Sequence, residues 1–161
     1  MTKRLFILSL ILLSPISMAD TALPSPQELI NNFDRVGVAK KESWKKGASP
    51  DAVPVLTSRN VGDIYSINKD FASSLSITKG EHHKAEFNHS ENVCVNLAYG
   101  VIGSKNKSIE EQVLNIVAGA ARAKDREFAD SIDDFWFESQ LTFIGNNPVL
   151  ACKISVMSTW D

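Results

Sequence analysis

The sequence predicts an α+β domain in which an antiparallel sheet of about five strands carries one long amphipathic helix on one face and a short N-terminal helix. Apolar and polar residues alternate along 71–78, 135–143 and 150–156, as they do in strands with one buried face. Apolar residues over 109–121 recur instead at helical spacing. Most connections between the predicted strands are short turns, which favours antiparallel pairing.

The composition is that of one ordinary globular domain. The chain has 161 residues, of which 43% are hydrophobic and 22% are charged. These fractions exclude collagen-like, coiled-coil and wholly disordered chains. A formal net charge of −2 provides no basic footprint for nucleic acid.

Residues 1–19 have the three parts of a signal peptide. Lys3 and Arg4 are basic, the run 5–13 is apolar, and Ser17-Met18-Ala19 places small residues where signal peptidase reads them. The apolar run is shorter than the roughly 20 residues that span a bilayer. We therefore expect cleavage before Asp20 and export of residues 20–161, most simply to a bacterial periplasm; an N-terminal anchor or core helix is the alternative.

An exported chain with two cysteines predicts a disulfide, because an oxidising compartment converts an isolated pair to cystine. Cys94 and Cys152 are the only candidates. The alternative is a free, reactive Cys94 beside a histidine.

The first predicted element of the exported part is a short helix. Ser25 and Glu28 form a capping-box pattern around Pro26, a residue suited to the first turn, and Gly37 ends the apolar stripe. For the following segment, 38–62, we expect an irregular connector with at most one helical turn, because its prolines interrupt any regular spacing of apolar residues.

Strand patterns begin at Asp63. A first strand over 63–67 turns at 68–70 into the alternating strand 71–78, for which we expect a buried apolar face and a hydroxyl-rich solvent face. A turn follows at 79–81, and alternation resumes around 85–87. The stretch 92–102 fits a strand, or a helix between Ser90 and Gly103; its density of Val, Cys and Tyr favours the strand.

The last third predicts the long helix and a hairpin. Ser108 and Glu111 repeat the capping-box pattern before the apolar stripe of the helix. The acidic run 125–134 is interpreted as the solvated end of this helix. A turn at 145–148 joins two strands, and Cys152 belongs to the inward-facing set of the second.

The three histidines are candidate metal ligands. They alternate with three glutamates, and imidazole with carboxylate suits Zn²⁺ or Cu²⁺. The alternatives are a solvated polar surface, or a surface whose binding changes as imidazole titrates near pH 6.5. The residues concerned are His82, His83 and His89, with Glu81, Glu86 and Glu91.

A tryptophan among four lysines is the candidate partner-binding surface. An aromatic ring beside cations makes a strong contact for an acidic protein, a glycan or a polyanionic lipid. The alternative is a tryptophan covered by lysine stems. The residues are Trp44, Lys40, Lys41, Lys45 and Lys46.

The sequence has none of the motifs that place a catalytic nucleophile, a phosphate loop or a zincin site. We therefore expect an exported, non-catalytic protein-binding module without a cofactor, of the inhibitor, immunity-protein or secretion-accessory type. The alternatives are a small metal-dependent or hydrolytic enzyme that uses the histidines, and an envelope glycan or lipid binder that uses Trp44 and its lysines.

Overall fold

A computed structural model describes residues 22–48, 53–79, 82–123 and 125–157. A seven-stranded antiparallel sheet is covered on one face by three α-helices. The helices are α1 (Pro26–Arg35), α2 (His83–Ile102) and α3 (Lys107–Arg122), with a 3-10 helix at Lys41–Ser43. The strands are β1 (Lys45–Ala48), β2 (Pro54–Asn60), β3 (Asp63–Ile67), β4 (Phe71–Ile77), β5 (Glu127–Ile132), β6 (Phe135–Ile144) and β7 (Asn147–Val156).

The sheet is built from two meanders that meet in its middle. The strand order is β1-β2-β3-β4-β7-β6-β5, so that β4 and β7 join the two halves. The helical hairpin of α2 and α3 connects the meanders. Helix α2 lies over β4 and β7, α3 lies over β5 and β6, and α1 packs on α2.

The predicted class, α+β, is correct, but the predicted number of elements is wrong. The sheet has seven strands rather than about five, and it is covered by two long helices rather than one. Two errors in the middle of the sequence and one after α3 account for the difference.

The segment 83–102 forms one helix, rather than alternation around 85–87 followed by the favoured strand over 92–102. Val93, Cys94, Val95, Leu97 and Ala98 are all buried, because α2 lies between the sheet, α1 and α3. A helix that is apolar on every side loses the periodicity that distinguishes it from a strand. The alternative interpretation, a helix ended by Gly103, is correct about that end, where a φ of 78° closes the last turn, but the helix begins at His83 rather than near Ser90.

The segment 38–62 is not an irregular connector. It contains the 3-10 helix, β1 and β2, and β2 begins at Pro54. Proline is tolerated at the first residue of a strand, so Pro54 does not interrupt the backbone hydrogen bonds within β2. Pro50 lies outside the described residues.

The acidic run after α3 is an edge strand, β5, rather than the end of a helix. Its residues are exposed except Ile132, because only β6 pairs with it. Asp133, with φ 53°, makes the tight turn into β6, a conformation that aspartate tolerates.

The core between sheet and helices contains the predicted crosslink. Cys94 on α2 and Cys152 on β7 form a disulfide, and both side chains are buried. The capping box of α1 is also confirmed: Ser25 Oγ accepts from the amide of Glu28, whose carboxylate accepts from the amide of Ser25. The predicted signal peptide, 1–19, lies outside the described residues. In the described part of the chain, none of the helices combines the length and apolarity that a membrane crossing requires.

Candidate functional site

The first half of α2 brings together two features that suggest function. One is a buried hydrogen-bonded network of polar side chains between α2 and the strands β3 and β4. The other is an apolar cleft next to it, at the end of the sheet where β6 turns into β7.

The polar network is centred on Asp63, at the start of β3. The hydroxyl of Ser76 donates to Asp63 Oδ1 at 3.0 Å, and the hydroxyl of Ser90 donates to Ser76 at 2.9 Å. On the other side of the carboxylate, Nε2 of His89 lies 2.9 Å from Oδ2 and 3.1 Å from Oδ1. The side chain of Asp63 is only 8% exposed, whereas that of His89 is 57% exposed.

The order of these groups decides what the network can do. In nucleophilic hydrolases the imidazole lies between the carboxylate and the hydroxyl, so that it can take the hydroxyl proton. Here the carboxylate of Asp63 lies between the imidazole and the two hydroxyls. The network therefore anchors α2 to the sheet, and its geometry does not activate Ser76 or Ser90 as a nucleophile.

We expect Asp63→Ala to lower the free energy of unfolding by about 2 kcal/mol, because two buried hydroxyls then lose the acceptor that ends their chain of hydrogen bonds. Urea denaturation measures this loss. The matched control is Asp70→Ala, since Asp70 is exposed and its carboxylate is paired with its exposed neighbour Lys69. Equal and small effects of both changes would contradict an anchoring role for the network.

The charge of Asp63 also affects Tyr65, two residues along β3. Burial, and secondly the negative charge of Asp63, raise the pKa of the Tyr65 hydroxyl far above its ordinary value. The hydroxyl stays protonated and donates to the carbonyl of Val93 on α2 at 3.4 Å. This is a second link between β3 and α2.

The apolar cleft has a volume of about 620 Å³. Its walls come from α2, the end of α3, and strands β6 and β7, and Ser90 connects it to the polar network. The apolar side chains of the lining are Phe87, Ala121, Leu141, Phe143, Pro148 and Leu150. A cleft of this size and composition is typical of sites that hold an apolar ligand or side chain.

Exposed apolar residues lie at the same end of the sheet as the cleft, and we call this region the apolar end. Phe143 lines the cleft itself. Ile77 and Ile144 lie on the face of the sheet away from the helices, by the alternation of their strands. Val61 is 95% exposed, Ile144 58%, Phe143 41% and Ile77 37%. The β2–β3 turn, which carries Val61, lies beside Ile77, since Gly62 accepts a hydrogen bond from the Ile77 amide at 2.9 Å. Thr78 is in turn bonded to Pro148, beside the β6–β7 turn. Exposed apolar residues grouped in this way mark an interaction surface.

The structure separates the three histidines. His82 occupies the N-cap position of α2 without a capping hydrogen bond from its side chain, His83 begins the helix and lines the apolar cleft, and His89 belongs to the polar network. Within the ranges that the structure describes, no three His, Cys, Asp or Glu side chains are grouped so as to hold a metal ion. The arrangement gives the predicted metal site no support.

Trp44 lies at the side of the core. Its ring meets that of Phe33 edge-on, with centroids 5.3 Å apart, and its buried Nε1 has no hydrogen-bond partner among the residues that the structure describes. The four lysines around it, Lys40, Lys41, Lys45 and Lys46, are exposed. Binding of a partner by these residues stays a prediction.

Sequence reasoning missed Asp63, Ser76 and Ser90 because it assigned the faces of β4 the wrong way round. The face of Ala72, Ser74 and Ser76 is buried under α2, whereas the face of Phe71 and Leu75 is only half-buried. Small hydroxyl side chains let the helix approach the sheet closely and bond to one another there. The one available signal was the serine periodicity of β4, which alone does not distinguish a solvated face from a helix contact.

No protein family, curated protein or solved structure gives a significant match to this chain.

Proposed function

We propose that this chain is an exported, non-catalytic protein-binding module of the inhibitor, immunity-protein or secretion-accessory type, and that it binds its partner at the apolar end. The observation that carries the proposal is that exposed Val61, Ile77, Phe143 and Ile144 lie at the same end of the sheet as an apolar cleft, which Phe143 lines. An aromatic or aliphatic side chain of the partner would enter the cleft, and the surrounding residues would exclude water from the contact.

Two further observations support the proposal. The buried disulfide is a bond typical of proteins that work outside the cytosol. The polar network beside the cleft holds α2 in place, which favours a cleft that is formed before a partner arrives. A preformed surface loses less conformational entropy on binding.

The experiment is capture of a partner by the full chain, expressed with its N-terminal segment and purified without reductant. We expect an extract of the cell envelope to yield one partner, bound with nanomolar affinity. Retention should persist at about 1 M NaCl, because apolar contacts are not screened by salt. We also expect the exported product to begin at Asp20, which intact mass measures.

The variant Val61→Ser with Ile144→Ser should lower this affinity at least about tenfold. Both side chains are largely exposed, so the fold is expected to survive. Met157→Ser is the matched control: Met157 is 44% exposed and follows β7 at the opposite end of that strand. Equal retention by both variants, or retention only at low salt, would refute binding at the apolar end.

A further inference from the structure

The two edges of the sheet carry opposite charge. We call β1 with the preceding residues 40–44 the basic edge; residues 40–46 contain four lysines and one glutamate. We call β5 with its flanking turns, residues 125–134, the acidic edge; it contains five acidic residues and one arginine. All residues of β1, and all of β5 except Ile132, are exposed.

Both edges can accept a further strand. Among the described strands, β1 pairs only with β2, and β5 pairs only with β6. Each therefore presents backbone amides and carbonyls along its outer side. Lysines on an edge strand commonly prevent unwanted pairing, because two like-charged edges repel. When the two edges of one chain carry opposite charge, the effect is the contrary, because the acidic edge of one copy attracts the basic edge of another.

The charges also match on each side of the sheet. Lys46 lies opposite Leu56, and Asp130 lies opposite Phe137, on the side that faces the helices. Lys45 and Glu127 lie on the other side, opposite Thr57 and Gln140. If β5 of one copy extended the sheet of a second copy at β1, acidic and basic side chains would meet on both sides of the sheet. Opposite charges on neighbouring strands stabilise pairing.

These charges have no oppositely charged partner among the described residues, although the Asp130 carboxylate accepts a hydrogen bond from the Ser131 amide. Lys45, Lys46, Glu127 and Asp130 form no salt bridge with the described residues. Their attraction is therefore available to an approaching copy.

Apolar groups accompany the charges on both edges. Beside β1 lies a groove of about 460 Å³ whose lining includes Pro26, Leu56 and Ile67. On the acidic edge, Phe128 is 38% exposed and lies on the helix side of the sheet, where its ring covers Gly119 of α3. The charges of each edge are thus set next to an apolar surface that a second copy can cover.

We propose that copies of this chain associate head to tail, with the acidic edge of one copy adding to the basic edge of the next so that the sheets become continuous. The two contacting surfaces differ, so the contact is heterologous and leaves one free edge of each kind at the ends of the assembly. This self-association is independent of partner binding at the apolar end.

The experiment is sedimentation velocity of the full chain at low and high salt, with two charge-reversal variants. Lys45→Glu with Lys46→Glu makes strand β1 acidic, like β5, and Glu127→Lys with Asp130→Lys makes strand β5 basic, like β1. The four side chains are exposed, and circular dichroism checks that each variant is folded. We expect concentration-dependent association of the wild type, weakened by salt, and a Kd at least about tenfold higher for each variant alone.

Mixing the two variants is the decisive control. In the mixture, an acidic edge strand of one variant can pair with a basic edge strand of the other at every contact, so association should return to the strength of the wild type. A wild type that stays monomeric at millimolar concentration and low salt would overturn the proposal. The lysines of β1 would then serve to prevent pairing of this edge strand with other chains. The proposal would also be overturned if each variant alone associated as strongly as the wild type, or if the mixture associated no more strongly than the separate variants.

Discussion

Replacing both cysteines by alanine, as Cys94→Ala with Cys152→Ala, is expected to lower the free energy of unfolding by about 4 kcal/mol. The bond joins positions 58 residues apart, and a loop of this length gives the unfolded chain a large gain in entropy once the bond is absent. It also connects α2 with β7, in the middle of the sheet. Since domains are stable by only about 5–15 kcal/mol, urea denaturation should show a large shift of the midpoint.

Reductant provides the control for this prediction. It should lower the midpoint of the wild type towards that of the double variant and leave the double variant unchanged. Both sulfur atoms are buried, so reduction is expected to be slow in the folded state. A double variant with the midpoint of the oxidised wild type would show that the crosslink does not stabilise the fold.

The elements that sequence reasoning predicted correctly are those specified by local signals. The capping box at Ser25 and Glu28 fixes the start of α1 through contacts within one turn. The β6–β7 hairpin follows from alternation around a short turn, and its two strands are neighbours in the sequence as well as in the sheet. In these elements the residues that determine the structure lie within a few positions of one another.

The structure of α2 was not predictable in the same way. Its buried sides face three different elements, so its apolar residues follow no stripe. The polar network depends on the same long-range packing, because His89 meets Asp63 across 26 positions of sequence. The sequence indicated that His89 was a chemically significant residue, but its partner became identifiable only when α2 was placed on β3.

Phe33→Ala is expected to lower the free energy of unfolding by about 3–5 kcal/mol. Phe33 is fully buried on α1, and its ring contacts Trp44 and Tyr65 edge-on, with centroids 5.3 and 5.6 Å away. Removing the ring leaves a cavity that these neighbours cannot fill without moving. Urea denaturation measures the loss of stability. Phe33→Leu, which keeps most of the side-chain volume, should lower the free energy of unfolding distinctly less than Phe33→Ala.

The same contact makes the effect of Gly100→Ala depend on residue 33. A Cβ at Gly100 would lie 2.5 Å from ring atoms of Phe33, so in the wild type the change should cost about 2 kcal/mol through overpacking. In the Phe33→Ala background that obstacle is gone, and alanine in the middle of a helix is favoured over glycine by about 1 kcal/mol. The change should then stabilise the protein. Urea denaturation measures the effect of Gly100→Ala on the free energy of unfolding in both backgrounds. An effect of the same sign in both would show that the Phe33 ring is not the group that obstructs a side chain at position 100.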